Sequence, residues 1–352
     1  MRRASLDFLQ RLVECHGIPG SEENVQKLFR AHLEGHAQEM RTDLMGSVIA
    51  AVNPKGSPRI MLDGHSDEIG FVVKYIDDKG YLFVAASGGW DAEVVVAQRA
   101  LVHTRTGPVT GVFGKRAIHL MDEDERKKKS ELHKLWVDIG ASSADEARGM
   151  VAIGDPVTLD APFKKLRNGR ATAKAFDNRC GIFAVAETLR ALKGRKLQAA
   201  VFGVSAVQEE IGLRGAQTAA YSVEPTVGIA IDVCHSTDLP DSDKRRHGEI
   251  CLGNGPVVAR GPNINPRVFR RLVEVAEREK IPHQVEAAPR GTGTDANVIQ
   301  LSRGGVATGL LSIPLRYMHN PCEMLSLSDL ENCVKLLTAF CASVTRKDDW
   351  TP

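Results

Sequence analysis

Two segments near the start of the chain carry hydrophobic side chains at the spacing of one helical face. They comprise Leu6, Leu9, Leu12 and Val13, and then Val25, Leu28, Phe29 and Leu33. Ser5 and Ser21 precede them, and serine is a favoured amino-terminal cap. We therefore predict two amphipathic helices that begin at Ser5 and Ser21.

Four short apolar runs follow, at residues 47–52, 59–64, 69–76 and 81–86. Their length and the turn residues between them are typical of strands. From about Gly70 to about Leu159 long helical patterns are absent, and the charged run 121–129 interrupts short β-like segments. We predict a small β-rich insert here, with 121–129 as a solvated loop.

The pattern alternates between strands and helices after Pro162. Continuous apolar runs at 199–207 and 227–233, and a strand at 307–313, are typical of strands buried on both faces. Helical spacing covers 178–192 and the segment from Asn265 or Pro266 to Glu279, another helix can start near Thr294, and a last helix spans 328–344 with Ser328 and Glu331 spaced as a capping box. This alternation predicts an α/β fold with a largely parallel sheet.

Composition narrows the function classes. The chain has 352 residues, 43% hydrophobic and 5% aromatic, with 46 basic against 44 acidic residues. This length suggests two domains, and the balanced charge does not favour a nucleic-acid partner. Seven cysteines without a CxxC pair favour reduced thiols, and the absence of a signal-like or long apolar stretch predicts a cytoplasmic protein without a membrane partner.

Metal-binding side chains recur where the predicted strands end. His65 follows one strand, and Asp67 two residues on can orient its ring. Asp177 lies where a loop meets a predicted helix. Taken alone, a histidine in a surface turn and an aspartate acting as a helix cap explain these positions equally well.

Three further sites have the same character. Glu209 and Glu210 follow a strongly apolar strand, Asp232 lies within another, and His319 comes after the strand ending near Ile313. An exposed turn or a core histidine would explain each alone, but buried carboxylates need a cation partner. Together, two histidines and four carboxylates predict a nitrogen–oxygen site for two divalent ions that share a carboxylate. The loop 291–295 is either a substrate-binding loop or a plain turn.

At these motifs the chain resembles the M42 family of metallo-aminopeptidases over almost its whole length. The shared patterns are HxDEIG at 65–70, DNRxG at 177–181, QEEIGxRGA at 208–216 and RYxHxPxE at 316–323, together with the strand that bears Asp232. The chain departs from the usual family pattern at Asp238-Leu239-Pro240 and at Ala97. Neither departure falls on a candidate ligand.

The resemblance implies a role for each residue. His65, Asp177 and Asp232 would hold one metal, and Asp177, Glu210 and His319 the other, so that Asp177 bridges. Glu209 would be the general base that activates a water between the ions, and Asp67 would orient His65. The implied reaction is removal of the N-terminal residue from short peptides. Zinc is the first choice of metal, with cobalt or manganese as alternatives.

The resemblance also implies an architecture. A zinc-peptidase-like, three-layer αβα domain with a mixed sheet would comprise 1–70 and 160–352, and an inserted PDZ-like β domain would comprise 71–159. The family includes tetrahedral dodecamers, so the resemblance also implies a homo-oligomer in which dimers assemble into a dodecamer.

Two rival functions stay open. A β-glucan-acting glycoside hydrolase would use Glu209 and a second carboxylate such as Glu323 without a metal, although few aromatic residues are available to stack on sugars. A non-catalytic protein that keeps the fold is the other, and the intact set of six site residues disfavours it.

Overall fold

The computed structural model describes all residues from 1 to 352. The helices are α1 (Arg3–Glu14), α2 (Glu23–Leu33), α3 (Ala92–Val95), α4 (Glu123–Arg126), α5 (Ala144–Met150), α6 (Phe176–Leu192), α7 (Arg214–Val223), α8 (Lys244–His247), α9 (Pro266–Arg278), α10 (Ala296–Ile299) and α11 (Leu327–Ser343). The strands are β1 (Glu39–Thr42), β2 (Val48–Val52), β3 (Arg59–His65), β4 (Gly70–Ile76), β5 (Leu82–Ser87), β6 (Arg99–Thr104), β7 (Gly107–Gly114), β8 (Trp136–Asp138), β9 (Pro156–Leu159), β10 (Lys164–Lys165), β11 (Arg170–Ala173), β12 (Ala200–Ala206), β13 (Val227–His235), β14 (Val257–Arg260), β15 (Gln284–Ala287), β16 (Ala307–Leu315) and β17 (Glu323–Ser326).

Eight strands form the main sheet, in the order β1-β2-β12-β3-β13-β16-β14-β15. The four central strands β12, β3, β13 and β16 run parallel, whereas β2 and β14 run antiparallel to their inner neighbours. The sheet is therefore mixed, with a parallel centre. The central strands are buried almost throughout, which explains why their sequences are continuous apolar runs rather than alternating ones.

Helices cover both faces of this sheet. On one face α1, α2, α6, α9 and α11 contribute to a core cluster of 48 buried residues. On the other face α7 and α10 pack over a smaller cluster of 14. The mixed α/β fold agrees with the sequence prediction, and α6 and α9 lie where helical spacing placed them.

The strands between Gly70 and Leu159 form a separate structure. They close into a barrel in the order β4-β5-β8-β7-β6-β9, around 15 buried hydrophobic residues of their own. A third, small sheet consists of β10, β11 and β17. None of the helices combines the length and the apolar character that a membrane span requires.

The three serine caps predicted from the sequence are wrong. Helix α1 begins at Arg3, so Ser5 lies inside it and donates a 2.7 Å hydrogen bond to Glu187 of α6. Glu22, not Ser21, occupies the cap position of α2. Ser326 precedes α11, which leaves Ser328 in the first turn, where its hydroxyl contacts that of Ser326.

Candidate metal centre

Each predicted ligand lies at the same edge of the main sheet. His65 is the last residue of β3, Glu209 and Glu210 follow β12, Asp232 lies near the end of β13, and His319 follows β16. Because the carboxyl ends of parallel strands share one edge of a sheet, the four segments converge there. Helix α6 brings Asp177 to the same place from its first turn, where the backbone departs from helical geometry at Asp177 and Asn178.

The side chains form one continuous cluster. The Nε2 atom of His65 lies 3.2 Å from Oδ1 of Asp177, and Nε2 of His319 lies 3.4 Å from Oδ2 of the same carboxylate. Further out, Nε2 of His65 is 3.8 Å from Glu209 Oε2 and 3.9 Å from Asp232 Oδ1. On the other side, Nε2 of His319 is 3.5 Å from Glu210 Oε1. Asp177 therefore sits in the middle, with one oxygen toward each imidazole.

Two compact groups of possible ligand atoms overlap within this cluster. One consists of His65, Asp177 and Glu210, and the other of His65, Glu209 and Asp232; within each group the atoms lie within 4.8 Å of one another. Imidazole nitrogens and carboxylate oxygens are donors that suit zinc, cobalt and manganese.

A second set of carboxylates fixes the backbone around the cluster. Asp67 accepts hydrogen bonds of 3.0 Å from the backbone N–H groups of both Glu209 and Glu210. Its backbone oxygen lies 3.2 Å from Nδ1 of His65, and its carboxylate 3.5 Å from the same atom. The sequence predicts for Asp67 only the role of orienting the ring of His65. Asp67 in fact joins the ends of β3 and β12.

Glu323 fixes the backbone in the same way on the side of the cluster that carries Asp177 and His319. It is buried, and its two oxygens accept 3.0 Å hydrogen bonds from the backbone N–H groups of Asp177 and His319. From the sequence, Glu323 is a candidate only for the second carboxylate of a glycoside hydrolase. The RYxHxPxE motif carried the signal, because its glutamate lies four residues after the histidine that it positions.

The electrostatics show a deficit of positive charge. Burial raises the pKa of Glu209 to about 10, with Asp232, Asp295 and Glu210 adding like charge, and burial also raises the pKa of Glu210. Hydrogen bonds to Asp177 and Glu210 raise the pKa of His319 to about 11. These carboxylates lack enough cations among the protein groups, and divalent ions would favour their ionised forms.

A buried pair of carboxyls lies behind the cluster and was missed from the sequence. Asp63 on β3 is fully buried and Asp295 is 3% exposed, and no other residue donates a hydrogen bond to either carboxyl, so the two interact with each other. Burial raises the pKa of Asp63 to about 7 and that of Asp295 well above its usual range. The burial of Asp63 could be predicted because it lies within a predicted buried strand. Its contact with Asp295, on a distant loop, could not be predicted from the sequence.

A cavity of about 390 Å³ opens beside the cluster. Its walls include strands β13, β14, β15 and β16 and the loop from Gly291 to Thr294, for which the sequence allows either a substrate-binding loop or a plain turn. The barrel also reaches the site. A Cβ atom on Gly89 would lie 3.3 Å from Nδ1 of His319, and one on Gly88 would lie 3.4 Å from Oε2 of Glu210.

Comparison with known proteins identifies the family. The model of the M42 glutamyl aminopeptidase family matches residues 46–336. The chain is 39% identical to a lysyl aminopeptidase of Pyrococcus furiosus, with 98% of this chain and 99% of that protein covered.

Solved structures agree. A TET aminopeptidase from a marine sediment Thaumarchaeota archaeon superposes with a TM-score of 0.94 at 35% identity, covering 98% of this chain and 97% of that one. The TET1 peptidase of Pyrococcus horikoshii, which can assemble into a tetrahedron or a large octahedral shell, gives 0.87 at 29% identity, with 97% and 100% covered. A Thermotoga maritima protein named an endoglucanase gives 0.77 at 28% identity, with 95% and 96% covered. The chain therefore belongs to the M42 family of aminopeptidases.

Proposed function

We propose that this chain is a two-metal aminopeptidase that removes the N-terminal residue from short peptides. The observation that carries the proposal is the position of Asp177, whose two oxygens face two different imidazoles at 3.2 and 3.4 Å. A carboxylate shared in this way is the bridge that a pair of neighbouring divalent ions requires.

The ligands divide around that bridge. His65, Asp177 and Asp232 would hold one ion, and Asp177, Glu210 and His319 the other. Glu209 lies on the His65 side but belongs to neither set in this assignment, which leaves its carboxylate free for proton transfer. Zinc is our first choice of metal, and the same donors accept cobalt or manganese.

When bound, the metals would polarise the scissile carbonyl and make an attacking water more acidic. Glu209 then takes the proton from that water and passes it to the nitrogen of the departing peptide. A general base must be ionised to act, and the two cations would offset the burial and like charge that raise the pKa of Glu209. Asp67 holds the backbone at Glu209 and Glu210, so that base and ligand keep opposite directions.

We also propose that residues 71–159 act as an inserted, PDZ-like domain and that the chain forms a homo-oligomer. The separate core of the barrel supports the first point. The shell-forming TET1 peptidase supports the second. Light scattering of the purified protein would test it, and a monomer at working concentration would contradict it.

The proposed base is tested by Glu209→Gln. We expect this variant to keep two metal ions per subunit by elemental analysis and to lose at least about 100-fold in kcat on an aminoacyl-arylamide. Glu277→Gln, which removes an equal charge from an exposed position on α9, is the control and should match the wild type. A Glu209→Gln enzyme with full turnover would exclude Glu209 as the base.

The proposed bridge is tested by Asp177→Ala. Since the shared carboxylate serves both ions, we expect both to be lost together in elemental analysis. Retention of two ions per subunit would contradict the assignment.

The glycosidase alternative makes a different prediction. Two carboxyls acting on a sugar need no metal, so β-glucan hydrolysis should survive exhaustive chelation. Both oxygens of Glu323 already accept backbone hydrogen bonds, which favours a structural role over general acid catalysis. Peptidase activity that disappears on chelation and returns with zinc or cobalt, without any β-glucan hydrolysis, is the expected result.

A further inference from the structure

One face of the main sheet forms the floor of the cavity beside the metal cluster. Asp232 on β13 pairs in register with Ser312 on β16, which pairs in turn with Val257 on β14. Two residues further along β14, Ala259 pairs with Glu286 on β15. Asp232, Ser312, Ala259 and Glu286 all line the cavity. The floor therefore extends from a proposed metal ligand at one end to Glu286 at the other.

Glu286 is a carboxylate without a partner. It is half-buried on an edge strand, forms no salt bridge, and its side chain accepts no hydrogen bond from the protein. Burial raises its pKa, and no nearby cation offsets that effect. A half-buried charge in this state gains more from an incoming cation than a charge in open solvent does.

The distance across the floor suits a long substrate side chain. Three strand-to-strand steps separate β13 from β15, about 14 Å at about 4.8 Å each, and the offset of two residues along β14 adds about 7 Å at right angles to them. The backbones of the metal ligand and of Glu286 are therefore roughly 16 Å apart. The glutamate side chain covers part of this gap. Lysine and arginine have the length and the charge to cover the rest, whereas a short aliphatic side chain would leave the carboxylate uncompensated.

Arg290 is the competing charge on the cavity wall. It lies in the loop after β15, is exposed, and forms no salt bridge with Glu286. An exposed cation is screened by water and salt, so it would discriminate among substrates less than a half-buried carboxylate does. The other titratable groups of the wall outside the metal cluster are His235, whose pKa is lowered by burial, and Cys234, whose pKa is raised by burial, so neither adds a charge at neutral pH.

We propose that Glu286 is the residue that selects substrates, and that it selects peptides whose first residue is lysine or arginine. The ε-ammonium or guanidinium would donate a charge-assisted hydrogen bond to the Glu286 carboxylate, while the scissile bond lies over the metal cluster. This proposal rests on the aminopeptidase function proposed above.

The test is a panel of lysyl-, arginyl-, leucyl- and glutamyl-arylamides, assayed with zinc or cobalt for wild type, Glu286→Gln and the exposed control Glu277→Gln. Wild type and the control should have the highest kcat/KM on the lysyl and arginyl substrates. Glu286→Gln keeps the shape of the side chain and removes its charge. It should lower kcat/KM for the basic substrates by about 10- to 100-fold, mainly through KM, and change leucyl hydrolysis less than about threefold.

The outcomes separate this proposal from the function on which it rests. If wild type cleaves none of the substrates with either metal, the proposed function fails. If leucyl-arylamide is cleaved but Glu286→Gln leaves the lysyl-to-leucyl ratio unchanged, the assignment of Glu286 alone is overturned. A wild-type preference for glutamyl-arylamide that Arg290→Gln abolishes would also overturn it, because Arg290 would then be the selecting charge.

Discussion

A buried ionic group beside the metal centre allows a sharp prediction about stability. Glu68 lies three residues after the proposed ligand His65, and both of its oxygens are 2.7 Å from Nζ of Lys174. One of them is also 3.5 Å from the guanidinium of Arg179. The side chains of Glu68, Lys174 and Arg179 are only 4%, 9% and 0% exposed. We predict that Glu68→Gln, which removes the charge and keeps the shape, strongly destabilises the protein.

The size of the expected loss of stability depends on the hydrogen bonds that Lys174 and Arg179 keep after Glu68 has lost its charge. Arg179 still donates from its two terminal nitrogens to the backbone oxygens of Leu12, Cys15 and Gly17 at 3.0–3.3 Å, and only its buried Nε has no acceptor. Lys174 keeps only a 3.4 Å contact with the oxygen of Cys15, and burial already lowers its pKa. Removing one partner of a buried pair costs about 3–5 kcal/mol, because the remaining charge is left uncompensated. We expect a loss in that range.

The assay is urea unfolding followed by circular dichroism, with stability taken from the midpoint and slope. Glu249→Gln removes the same charge from an exposed pair with Lys244 and should leave the midpoint unchanged. Adding Lys174→Met to Glu68→Gln should restore at least half of the loss, because the uncompensated ammonium is then absent. A Glu68→Gln protein within about 1 kcal/mol of wild type would refute the reasoning, since the charge would then be balanced from elsewhere.

Three further perturbations test other parts of the structure. Burial opposes ionisation of Glu187, but hydrogen bonds from His32, Ser5 and Arg190 hold its pKa at about 2, below the ordinary 4.5. The ionised Glu187 carboxylate therefore stabilises the fold fully above about pH 4.5, and this stabilisation is lost as the pH falls toward 2. Between pH 5 and pH 3 the melting temperature of Glu187→Gln should fall less than that of the wild type. Equal falls in melting temperature would contradict this. Asn265 accepts hydrogen bonds from the N–H groups of Arg267 and Val268 as the cap of α9, so Asn265→Ala should cost about 1 kcal/mol in urea unfolding, and no loss would contradict the cap. Asp67→Asn should weaken metal binding about 10- to 100-fold in competition with a chelator, and an unchanged affinity would show that Asp67 does not support the ligands.

The periodicity of the sequence predicted the elements well but not their ends. The apolar runs gave β3, β12, β13 and β16 because burial on both faces requires continuous hydrophobicity. Ser5 failed as a cap because its hydroxyl has a partner 182 residues away, the carboxylate of Glu187. A local rule such as serine capping cannot anticipate a tertiary hydrogen bond of that kind.

Some residues of the candidate site could likewise be predicted from the sequence, and others could not. His65, Glu210 and His319 could be proposed from sequence because each follows an apolar run within a recognisable motif. Glu286 could not, because its strand has an alternating, half-exposed pattern with no special feature. Its relation to Asp232 exists only through the sheet order, in which β16 and β14 lie between them.

The antiparallel strand β14 explains why the cavity lies on one side of the metal cluster. The parallel strands β12, β3, β13 and β16 all deliver their ends to the cluster, so each contributes a ligand or a loop that bears one. β14 runs the opposite way and β15 runs parallel to it, so both deliver their carboxyl ends away from that edge. Near the cluster they contribute side chains of the sheet face, small at Ala259 and charged at Glu286. The parallel central strands thus carry the proposed metal ligands. The edge strands β14 and β15 form the open floor of the cavity, where side chains can vary without disturbing those ligands.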